Sequence, residues 1–101
     1  MASTGPDLNE LVACGHHLAD SRGLARADDR ALRAKLVEVL ARKHFVEAAR
    51  EGFITRQEAR DAVLDHIWTF VCHASGTSLS IGWQDDPTLS RRVERALFGD
   101  S

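Results

Sequence analysis

Between Asp28 and Gly52 the chain meets neither proline nor glycine, and its apolar residues recur at helical spacing. Read as one helix, this run spans about 24 residues, roughly 36 Å at 1.5 Å per residue. With about 100° between successive residues, Leu32, Leu36, Val39, Leu40 and Val46 fall on one flank. Val37, Ala41, Phe45 and Ala48 fall nearly opposite. A helix apolar on two flanks is normally central to its domain or shared with a second subunit. At 101 residues the chain is near the size where one apolar core suffices without disulfides. Both roles are therefore expected together: a long central helix within a homodimer. Lys35, Glu38 and Arg42, between the two flanks, are spaced for local ion pairs.

The flanking segments read as further helices. Pro6-Asp7 opens the first, with Asp7 as N-cap and Glu10 three residues on, as in a capping box. Leu8, Leu11, Val12, Gly15, Leu18 and Ala19 share one face, and the helix ends before Gly23. A later helix, from about Arg56 to Ala74, carries Ala59, Val63, Ile67, Phe70 and Ala74 on its core face. Leu64 and Val71 form one shoulder, His66 and His73 the other, and Asp61, Asp65, Trp68 and Cys72 lie on the far side. The stretch "TSLSIGW" alternates like a short strand, with Leu79 and Ile81 facing one way. One strand makes no sheet, so it is an extended segment across the bundle or half of an intermolecular pair. The last helix has Asp86 as N-cap, Pro87 at its first position and Gly99 as its stop, with Leu89, Val93, Ala96 and Leu97 as its buried stripe. The expected fold is all-α: a single domain over residues 1–101, a small bundle of about four helices, with residues 1–6 as a flexible N-terminus.

"REGFITRQEARDAV", residues 50–63, has the spacing of the second half of a calcium-binding EF-hand loop. The first half is missing: the ligand positions would be Glu47, Ala49 and Glu51, and alanine offers no side-chain oxygen. A helical hairpin uses every residue instead. Gly52 ends one helix in the left-handed region. Thr55 caps the next, Glu58 closes a capping box and Ile54 is placed for a hydrophobic staple.

A hydrophobic share of 44% with 28% charged residues is that of a folded soluble protein. The net charge of -2 gives little pull toward polyanions. No apolar run approaches the roughly 20 residues that span a bilayer. The start lacks the basic and apolar regions of a signal peptide, so a cytoplasmic location is expected, with Cys14 and Cys72 as thiols. Arginine outnumbers lysine and alanine is abundant, a bias expected of a GC-rich bacterial genome rather than of any chemistry.

Candidate chemistry is sparse. Cys14 and His17 on the first helix could meet His66 and His73 in a tetrahedral zinc site, but ligands seven residues apart lie about 10 Å from each other along a helix. No CxxC, HxxxH, HExxH or CxxCH occurs. Cys72 and His73 are adjacent and so point about 100° apart, which counts against a nucleophile–base pair. Asp28-Asp29 and Asp85-Asp86 sit at helix starts, where capping explains them. No metal, cofactor or catalytic residue is expected, and the chain is not expected to be an enzyme.

Binding is what remains. Trp and Arg most often carry interface energy. Two contact surfaces follow: Asp61, Asp65 and Trp68 on one helix, and Trp83 with Arg91, Arg92 and Arg95 near the C-terminus. The expectation is a small cytoplasmic adaptor, inhibitor or regulator that binds another protein. A helix-based DNA-binding regulator is the alternative, with a His/Cys metal-binding protein behind it. Against DNA, the far side of the helix after Gly52 shows Asp61 and Asp65 where a recognition helix needs polar or basic side chains.

Overall fold

Helix boundaries follow from capping chemistry written into the chain. The computed structural model describes residues 6–76 and 86–99, which form five helices and no strand: α1 (Leu8–Ser21), α2 (Asp29–Lys43), α3 (Phe45–Arg50), α4 (Arg56–Ser75) and α5 (Pro87–Phe98). Four of the five begin behind a side chain that accepts from a backbone N–H three residues on. Asp7 accepts from Glu10, Asp28 from Ala31, Thr55 from Glu58 and Asp86 from Leu89. Each such cap stabilises its helix by about 1 kcal/mol. At Thr55 the box is complete, since its own N–H donates to Glu58 Oε1 at 2.8 Å. At Asp7 it is half made: the Glu10 carboxylate turns away to Arg92 of α5, 2.8 Å from its Nε. The "TSLSIGW" segment and the tail before Pro6 lie outside the described residues.

The hairpin reading of Gly52 holds. The Phe53 N–H donates to Ala48 O and the Gly52 N–H to Ala49 O, the paired bonds of a Schellman turn. Gly52 has φ 86°, a conformation that favours glycine.

The central run differs from the single helix its sequence predicts. It breaks at His44, which takes φ 53° and ψ 39° and ends α2; after it the chain resumes as the short α3. The reason lies in the two-sided pattern. On a straight helix Phe45 and Val46 would point about 100° apart, toward different flanks. After the turn, Val46 is buried and Phe45 packs partly buried against the same core, its ring 6.0 Å from that of His66. What is left of the second flank is Ala41, exposed, and Val37, 48% exposed. The premise for a subunit-sharing helix shrinks accordingly.

The centre of the bundle is α1 and α4, rather than the run between them. α1 packs against α2, α4 and α5; α4 packs against all four other helices. Every apolar position expected on the face of α1 is buried except Leu8, which is partly so, and Leu89, Val93, Ala96 and Leu97 of α5 are all buried. On α4 the apolar arc is wider and turned. Leu64, Val71 and Cys72 are buried beside Val63 and Ile67, whereas Phe70 is partly buried and Ala74 exposed. Neighbours on several sides of α4 account for that width.

Polar links fix the register of α1 against α2 and of α5 against α1 and α4, pairs that run antiparallel. On α1 and α5, His17 meets Asp86, Glu10 meets Arg92, and the Asp7 N–H donates to Ala96 O at 2.8 Å. On α1 and α2, His16 meets Asp29 and Arg33 donates to Asn9 Oδ1. Arg60 reaches Glu94 between α4 and α5 at 3.4 Å.

Two substitutions test this packing. A Cβ on Gly15 would lie 2.6 Å from Leu32 Cδ2, and Leu32 is wholly buried with no room to withdraw. Gly15→Val is therefore expected to cost about 2 kcal/mol, lowering the thermal midpoint by roughly 10 °C in a domain of this size. At His44 the sign of the effect is diagnostic. In a continuous helix glycine would be less stable than alanine by about 1 kcal/mol. In the left-handed turn the order reverses, so urea unfolding should place His44→Gly above His44→Ala.

Candidate functional site

The antiparallel order brings the start of α1, the ends of α3 and α5 and the start of α4 to one end of the molecule. There a cleft of about 510 Å³ lies between Pro6–Asn9 and Arg95–Gly99, with Arg33 of α2 and Arg50 of α3 on its walls. A smaller cleft beside it shares Arg50 and Phe98 and adds Ala49 and Arg56. Four guanidinium groups from four different helices thus surround Phe98.

The electrostatics of this end differ from those along the sides. Along the sides three arginines meet carboxylates closely: Arg26 with Asp20 at 2.6 Å, Arg60 with Asp61 at 2.9 Å, Arg92 with Glu10 at 2.8 Å. In the cleft, Arg33 donates to the neutral amide of Asn9 at 2.5 Å, which leaves its charge uncancelled. Arg56 lies over the Phe98 ring, 4.6 Å from its centroid, a cation–π contact. Arg50 makes no hydrogen bond or ion pair among the described residues. Among the described residues Asp7 is the one carboxylate lining the larger cleft, and it is engaged as the cap of α1. Leu97 and Ala96 form a buried apolar floor, and Leu8 and Phe98 are partly buried at its edge. The arrangement can hold an anionic group next to an apolar one.

The residues singled out from sequence fall in several places. Arg95 lines the cleft, Arg92 is committed to Glu10, and Arg91 is exposed on α5. The structure therefore separates three arginines that the sequence sets side by side. Asp61, Asp65 and Trp68 share one face of α4 at helical spacing. Asp61 is paired with Arg60, Asp65 is exposed, and Trp68 is half-buried against the core with Arg22 5.8 Å over its ring. Trp83 lies outside the described residues. Arg33, Arg50 and Arg56 carried no signal in sequence, since each is isolated among charged neighbours and only folding assembles them.

The histidines and cysteines do not gather. Among the described residues no three His, Cys, Asp or Glu side chains are grouped to hold a metal ion. His66 lines a second cleft of about 400 Å³ with Lys35, Asp65, Thr69, Phe70 and His73. Burial, and then the charges of Lys35 and Lys43, hold its imidazole below the usual histidine range. Burial pushes the Cys14 thiol up to about 12, against the opposing charge of Arg92, which leaves it inert as a nucleophile at neutral pH. His16 and His17 tie α1 to the starts of α2 and α5.

No family model, curated protein or solved structure matches this chain.

Asp86 gives this end-to-end framework a pH signature. The Leu89 N–H, and then His17, hold its carboxyl below the ordinary carboxylate value. Its folded value is the lower one, so its contribution is complete above about pH 4 and fades as pH falls through the folded value. Asp86→Ala should cost about 1 kcal/mol near neutral pH, and its deficit against wild type should shrink on acidification. Urea titrations followed by circular dichroism across acid pH measure that closing gap.

Proposed function

We propose that this chain is a small protein-binding adaptor, inhibitor or regulator with no chemistry of its own, and that the arginine-rimmed end of the bundle is its contact face. The observation that carries this reading is the convergence of Arg33, Arg50, Arg56 and Arg95 around Phe98, where Asp7 is the one carboxylate among the described lining residues and is already engaged as a cap. Arginine and large aromatic side chains are the types that most often dominate binding energy. Phe53, 79% exposed in the turn before α4, adds apolar surface that folding leaves unused. The inert Cys14 thiol is in keeping with a role without nucleophilic chemistry.

Among the described residues no helix is long and apolar enough to cross a membrane. Two free cysteines accord with a reducing, cytoplasmic setting. A homodimer has lost support from the central run, and what favours it now is the exposure of Val37 and Phe53. The second reading, a DNA-binding regulator, draws on the same arginines. Against it stand the net charge of -2 and the acidic face of α4.

Capture with the tagged protein from its source cells, followed by mass spectrometry, tests the reading. The wild-type chain is expected to retain a discrete partner, and Arg50→Glu with Arg56→Glu to lose it, at a cost of at least about tenfold in affinity. Retention on heparin resin with release by salt would favour DNA instead. A wild-type eluate no richer in any protein than that of an unrelated helical control would sink the proposal.

A further inference from the structure

We infer that the cleft at Phe98 receives an acidic segment of the partner protein, with carboxylates on the arginines and one apolar side chain on the floor between Leu8 and Phe98. This rests on the protein-binding reading above and names the chemistry of what is bound. Three observations carry it.

The first is charge complementarity. Arg33 and Arg50 present guanidinium forks with no carboxylate on them, and Arg95 lines the same wall. A planar fork matches a carboxylate with two parallel hydrogen bonds, the geometry in which arginine is most selective. The second is the mixed lining. Carboxylates alone would leave the exposed parts of Leu8 and Phe98 facing water, whereas an acidic peptide with an apolar residue covers both kinds of surface at once.

The third observation separates a peptide from a nucleic acid. Single strands are held by a basic track that follows the backbone, with open aromatic faces for the bases. Here Arg33 and Arg50 stand at one end, and along the adjoining α4–α5 side Arg60 is already neutralised by Asp61 and Glu94. The Phe98 ring is also covered by Arg56, so it is not an open stacking platform.

Fluorescence anisotropy with a short fluorescein-labelled peptide of Glu and Asp around a single Leu provides the test. Binding is expected to saturate, to weaken at least about tenfold in Arg50→Glu, and to change little in the charge-matched control Arg42→Glu on the exposed side of α2. Replacing the peptide's Leu by Ser should weaken it several-fold. Arg50 is exposed, so circular dichroism should show both variants folded. Three results would overturn the inference: no saturable binding, an equal loss in both variants, or tighter binding of a single-stranded oligonucleotide that Arg50→Glu abolishes. Cell capture keeps the two claims apart. A partner held equally by wild type and Arg50→Glu removes the cleft and leaves the protein-binding reading intact. If wild type captures no partner, that reading falls, whatever the peptide does.

Discussion

At His44 the backbone passes through the left-handed region for one residue, and the direction of everything from Phe45 to Arg50 follows from that turn. A side chain with a Cβ adopts this conformation at a cost of roughly 1 kcal/mol or more. The return is the burial of Val46 and much of Phe45 on one core. Full burial of such side chains is worth about 1.5–3 kcal/mol each, so the balance favours the break. The same turn sets the course of α3 and hence the place of Arg50 at the wall of the cleft.

The remaining architecture is held by α1, which lies between two antiparallel neighbours. Gly15 lets Leu32 come within a distance that no larger residue permits, and Ile67 of α4 closes the same space. Along its polar edges α1 is tied to α5 through Asp7, Glu10 and His17, and to α2 through Asn9 and His16. Exposed ion pairs add little individually. Their consequence is register: sliding α5 by one turn would strand Glu10, Arg92 and Asp86 together, so the stagger that builds the cleft is specified at several points.

Local rules made much of this fold legible. The caps at Asp7, Asp28, Thr55 and Asp86 and the stop at Gly52 are short-range chemistry, and the stripes of α1 and α5 are simple periodicity. The break at His44 was hidden because neither proline nor glycine marks it; burial of both Phe45 and Val46 decides it, and that is a tertiary demand. The wide arc of α4 was misjudged by one shoulder for the same kind of reason, since one stripe cannot describe a helix with neighbours on several sides. The candidate site was the least legible part. Arg91, Arg92 and Arg95 look like a cluster in sequence, yet only Arg95 reaches the cleft, and its companions come from far along the chain.

That scattered origin has a thermodynamic consequence. No single helix, and no adjacent pair, carries the whole rim, so the cleft comes into being only with the assembled bundle. Whatever settles there binds the native state alone and shifts the unfolding equilibrium by mass action. Occupancy would thus bolt the first helix to the last, and the molecule would become firmest while engaged.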